Sequence, residues 1–252
     1  VQVDQDKAGK NGEIAFKRLH PVVRNDWEYG ECLKVVAPAF AGQNKKDLIL
    51  LLAEKLEKAI RLDDRLDEDE FRDHSHIWRG SIESSNQNHD HNIKDTMVNW
   101  IRDLSEQFLN ECPQEAKELC QEFSESKLPI FSRFALHLVR QTTDDKLIRQ
   151  FILDPELFDA DDVWHEYALL IQERFNLLRP NDQKALIQLI DTHQPYEKLQ
   201  NGDVEEFLRA TERAKYNYYY MIKDHLVGEP LRRFDEMYAK FGDLDHPTFS
   251  NY

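Results

Sequence analysis

The sequence predicts an all-α protein, and three observations predict it. Apolar residues recur at helical spacing through most of the chain, only 8 of the 252 residues are glycine, and 32% are charged. Long helices with solvated faces have this composition, and a hydrophobic fraction of 40% is enough for a packed core. A chain of this length forms one large domain or two modest ones.

Residues 1–43 are the least periodic. Gly9, Gly12, Pro21, Gly30 and Pro38 interrupt short apolar patches such as Ile14, Phe16 and Leu19, so an irregular or short helical N-terminal segment is expected. From residue 44 the pattern sharpens. Leu48, Leu51, Leu52, Leu56, Ala59 and Ile60 share one helical face and charged residues fill the other, which opens a helical domain expected to span 44–252. Residues 63–92 read as a long polar, histidine-rich connection; nothing in the chain reads as an alternating strand of useful length.

Beyond the connection the helices come in pairs. Ile93, Met97, Trp100, Ile101, Leu104 and Phe108 mark one stripe, and Pro113 opens a partner with Ala116, Leu119, Cys120 and Phe123; proline suits a first helical turn, where its missing N–H has no partner to lose. A second pair runs through Ile130, Phe131, Phe134 and Leu138, then Leu147, Ile148 and Phe151. The third carries Val163, Trp164, Tyr167, Leu170, Ile171 and Phe175, with Leu186, Ile187, Leu189 and Ile190 after Pro180. The fourth opens at Asp203, whose spacing to Glu206 resembles a capping box, and passes Phe207, Ala214, Met221 and Ile222 to Gly228. Its partner holds Leu231, Phe234, Tyr238 and Phe241 before Gly242. Leading helices recur every ~35–40 residues, a spacing typical of helical hairpin repeats. Such hairpins cannot hide their apolar stripes alone, so the expected architecture is stacked helical hairpins in an α-solenoid-like array of the HEAT or TPR kind.

A formal net charge of −15 argues against nucleic acid as a partner, since phosphate neutralisation needs clustered Lys and Arg. Cys32, Cys112 and Cys120 are an odd number with no CxxC spacing, which fits neither a disulfide framework nor a zinc site and suits a reducing compartment. The longest apolar run, 48–53, is far short of a membrane span, and no signal-peptide pattern opens the chain, so cytoplasmic localisation is expected. The chain starts at Val1 and ends at Tyr252 directly after a Pro-containing loop, as a segment of a larger protein would.

Catalytic motifs are sparse. There is no GxxxxGK[ST], GxSxG or HExxH, so no cofactor or metal is expected in this segment. Asp73, His74, His76, His89, Asp90 and His91 form the richest set of possible ligands; a metal-dependent hydrolase would need His74, His76, His89 and His91 to converge with a carboxylate, whereas the same residues in a solvated connector do nothing. Arg133 and His137 lie one helical turn apart, and Glu166 follows His165; packing and solvation are the simpler roles for all four. Tyr216, Tyr219 and Tyr220 share one side of a helix while Tyr218 points elsewhere, so at least one ring is expected at the surface, where tyrosine is a favoured contact residue.

Three stretches together resemble the C-terminal helical region of bacterial antiphage NTPases of the STAND type and of related large defence proteins. Ser75-His76-Ile77-Trp78-Arg79-Gly80-Ser81-Ile82-Glu83 with Asn88 is similar to that family's S-x-x-W-R-x-x-I-E segment, with Ser85 standing where a His is usual. Leu128 to Leu138 resembles its Pro-x-Phe-x-Arg-x-Ala-Leu-His helix, and Gly242 to Ser250 its terminal G-x-x-x-H-P-x-F-x-S loop. The likeness covers residues 45–252. It implies a sensor module that binds a phage protein, in a parent whose effector and ATP- and Mg-dependent NTPase lie elsewhere and for which homo-oligomer assembly is an expected partner mode. Candidate contact residues are Trp78, Arg79, Glu83, Tyr216, Tyr219 and Tyr220. The alternative is an intramolecular scaffold that holds the NTPase inactive through contacts with other domains of the same polypeptide.

Overall fold

The structure, a computed structural model, describes residues 2–5, 17–20, 26–63, 73–84, 92–194 and 204–249. Their class is all-α. The helices are α1 (Asp26–Asp63), α2 (Ser75–Trp78), α3 (Ile93–Glu111), α4 (Pro113–Ser124), α5 (Pro129–Gln141) and α6 (Asp145–Ile152), followed by α7 (Pro155–Phe158), α8 (Trp164–Arg174), α9 (Pro180–Thr192), α10 (Val204–Ile222) and α11 (Glu229–Phe241). They are preceded by one antiparallel pair, β1 (Gln2–Gln5) with β2 (Lys17–His20), in the register Gln2↔His20. Four residues per strand are too few for an alternation to register in sequence, and the pairing partner lies a dozen residues away.

Helix boundaries follow local chemistry. Asn92 caps α3 by accepting the Asp95 N–H at 3.0 Å, and Asp144 caps α6 by accepting from Lys146 and Leu147. Prolines occupy the first turns of α4, α7, α9 and α11. Gly242, at φ 67°, ends α11 in a conformation that side-chain-bearing residues avoid. The capping expectation for Asp203 lies outside the described residues. The change of pattern at residue 44 coincides with a kink: Asn44 adopts φ −157°, ψ 64°, so α1 is two helices meeting end to end.

The chain divides into two compact units, Val1–Leu138 and Val139–Tyr252, with the division falling inside α5. In the first unit, Ile49, Leu52, Leu56, Ala59 and Ile60 of α1 are buried where that helix packs on α3, whose Met97, Ile101, Leu104 and Phe108 are buried in turn. Phe123 of α4 meets Phe131 and Phe134 of α5 at 5.6 and 5.8 Å between ring centres. Full burial of each such ring contributes about 1.5–3 kcal/mol. Lys46 bridges α1 to Glu118 and Glu122 of α4, an exposed pairing that adds little stability but fixes direction. Cys120 sits in this core, and burial pushes its thiol up to about 12, which makes it an inert packing residue at neutral pH.

In the second unit, α10 packs on α8, α9 and α11. The Tyr167 hydroxyl donates to the Ile152 carbonyl at 2.6 Å and ties α8 to the end of α6. Arg174 of α8 donates to the Arg140 carbonyl, satisfying an orphan acceptor at the end of α5. No helix among the described residues is long and apolar enough to cross a membrane.

Candidate functional site

Residues 73–84 leave the helical pattern and present the first unit's most unusual surface. Their anchor is Arg79, whose side chain is 1% exposed. Its Nε donates to the Ser81 carbonyl at 2.8 Å, its Nη2 donates to Asn99 Oδ1 at 2.6 Å, and its Nη1 faces Asp95 Oδ1 at 3.5 Å. Arg102 adds a bond to the Ile82 carbonyl at 3.3 Å and another to Asn99 Oδ1 at 3.1 Å. Asp95, Asn99 and Arg102 lie on one face of α3, so the helix offers an acceptor, an amide and a second cation to the segment lying on it. At the other end, Asp73 accepts from the Ser75 N–H at 2.8 Å and the Ile130 N–H at 3.1 Å, joining the segment to the first turn of α5.

Burial sets the electrostatics of this cluster. Desolvation pulls the Arg79 guanidinium below its ordinary range, opposed by Asp95, and desolvation raises the Asp95 carboxyl, opposed by Arg79. Each charge thus offsets part of the cost of burying the other.

The network buries Arg79, one of the candidate contact residues, and displays its neighbours. Ile77 is 70% exposed, Trp78 is half-buried with Lys94 Nζ 4.5 Å from its ring centre, and Glu83 is half-exposed. Trp78 and Glu83 are thus candidate contact residues on a fixed backbone; Arg79 positions them.

The tyrosines of α10 divide similarly. Tyr216 is fully buried, stacked on Phe234 at 5.9 Å and donating to the Gly242 carbonyl. Tyr219 is buried and donates to Asp191 at 2.8 Å, the carboxylate that Arg233 of α11 also engages. Tyr218 does point elsewhere, yet it too is buried: it stacks on Phe158 at 4.3 Å, meets Trp164 edge-on and donates to the Phe158 carbonyl. Burial raises all three phenols, Tyr216 to about 12. Only Tyr220 of the four is half-exposed, with its hydroxyl 3.2 Å from Asp243 and Lys223 Nζ 3.8 Å from its ring centre.

The remaining sequence candidates are engaged within the chain. His137 Nε2 lies 2.7 Å from Glu106 Oε1, and Arg133 and Glu166 are buried. His165 stacks on Phe249 at 4.2 Å and meets the Thr248 carbonyl at 3.1 Å, so the terminal loop is seated on α8. His74 and His76 lie with ring centres 6.1 Å apart, and His89, Asp90 and His91 lie outside the described residues. Among the described residues no three His, Cys, Asp or Glu side chains gather as a metal would require.

Asp95, Asn99 and Asp191 carry these arrangements without having stood out in sequence, and Asp73, which stood out there as a possible metal ligand, accepts backbone N–H groups instead. The spacing of Asp95, Asn99 and Arg102 at i, i+4 and i+7 was the available signal, since polar residues in register on one face of a core helix need a buried partner. No family profile, curated protein or solved structure matches this chain.

Proposed function

We propose that this chain is a non-catalytic helical recognition module of a larger bacterial antiphage defence NTPase, and that it binds a phage protein. The observation that carries the reading is the fixed display of Ile77, Trp78 and Glu83 on a segment tied to α3 and α5 by buried polar bonds. A large aromatic with a neighbouring aliphatic group, held in place before binding, is how protein interfaces concentrate affinity without an ordering cost. The resemblance of 75–83, 128–138 and 242–250 to the STAND-type defence proteins supports the antiphage setting. In that setting the parent is cytoplasmic, holds ATP and Mg elsewhere, and the hairpins continue a solenoid-like stack.

Co-expression pull-downs of the full-length parent against phage structural and packaging proteins test this. One phage protein is expected to be captured by the native chain and lost with Trp78→Ala, while capture of none by parent or fragment counts against the reading.

An intramolecular scaffold is the second reading. Val204 and Leu208, one turn apart on α10, are 64% and 60% exposed, an apolar stripe that another domain of the same polypeptide would cover.

A further inference from the structure

We propose that the groove between α6 and α9 is a docking site for an acidic segment of a partner protein that also carries leucine-like side chains. This deepens the recognition reading by naming a second contact surface and its chemistry, and it rests on that reading.

The groove belongs wholly to the second unit and has a volume of about 900 Å³. Ile148 and Leu178 are buried beneath it, and Leu177 stands on its wall 54% exposed, a large apolar side chain left in water beside an opening. Three cations rim it: Lys146 and Arg149 from α6, and Arg179 at the start of α9. Arg149 is committed, its Nε 2.7 Å from Asp182, so that pair pins the two helices and neutralises the Asp182 carboxylate. Among the described residues, Lys146 and Arg179 have no ion-pair partner, although the chain carries 48 acidic residues against 33 Lys and Arg. The remaining lining charge is the single carboxylate of Asp145.

In a chain of net charge −15, cations left unpaired beside an exposed leucine leave the groove complementary to a ligand with the opposite pairing. Carboxylates would meet Lys146 and Arg179 and set the register, and an aliphatic side chain would cover Leu177 and supply buried area. A polynucleotide fits poorly, because two free cations beside Asp145 cannot neutralise a run of phosphates.

Fluorescence anisotropy of the purified chain tests the assignment with three labelled peptides: one with Glu and Leu at helical spacing, its Lys-for-Glu counterpart and its Ser-for-Leu counterpart. A single-stranded oligonucleotide is the fourth probe. The acidic leucine peptide is expected to bind alone, more weakly as salt rises, and about tenfold more weakly to Lys146→Glu/Arg179→Glu and to Leu177→Asp. All three substituted side chains are exposed, so circular dichroism should show unchanged helix content and melting. No binding by that peptide, equal binding by its counterparts or the oligonucleotide, or binding untouched by the variants overturns the proposal. If the parent captures a phage protein that the groove variants retain in full, the groove assignment fails while the recognition reading stands; if the native parent captures none, the recognition reading itself fails.

Discussion

An arginine with almost no exposed surface is tolerable only while its counter-charge and acceptors stay in place. Arg79 meets that condition through Asp95, Asn99 and the Ser81 carbonyl. Arg79→Met would leave the Asp95 carboxylate buried without its guanidinium partner, keeping the Asn92 amide at 2.6 Å and the weaker pull of the Lys94 charge. Removing one member of such a pair costs about 3–5 kcal/mol at neutral pH. The sign of its pH dependence follows from the direction of the shift. With Arg79 gone, the folded Asp95 pKa rises further above its ordinary 3.8, so the unfolded chain gives up the proton first as pH rises. The deficit against the native chain should therefore be largest at neutral pH and shrink on acidification through that window, as paired denaturant titrations would show. His193 behaves oppositely. Burial holds it below its ordinary 6.5, with Asp159 and Asp161 opposing and Lys215 reinforcing, so the unfolded chain takes up the proton first as pH falls. The melting temperature should drop as pH falls below 6.5, and His193→Gln should blunt that drop. In sequence, Arg79 beside Trp78 reads as a surface anchor; only the polar register of α3 hinted that it points inward.

Elements with long apolar stripes were legible because periodicity agrees with a cap in α3 and with first-turn prolines in α4, α5 and α9, and in α8 because the stripe alone was long enough. Single-turn elements were not. The four residues of α2 have no periodicity to read, and Asp73 fixes that turn through a contact 57 residues away, at Ile130. Asp73→Ala should cost about 1–2 kcal/mol, as loss of a helix cap does, because the Ser75 and Ile130 N–H groups lose their acceptor. Hydrogen exchange should quicken at 75–79 and in the first turn of α5 while α1 and α3 keep their protection. Unchanged exchange at 75–79 would mean that the Arg79 network alone holds the segment.

For the molecule as a whole, composition and periodicity gave the all-α class, while the division at Leu138 was illegible because it falls inside a continuous helix. The display of Ile77, Trp78 and Glu83 was equally hidden, since exposure there results from what α3 and α5 bind underneath. On the proposed reading, the segment held on α3 and α5 contacts a phage protein. Hydrogen exchange on the captured complex tests it most directly. Slowed exchange concentrated at 75–84, with the interior of α3 unchanged, is the predicted footprint. Capture with no slowing anywhere in 75–84 would contradict it.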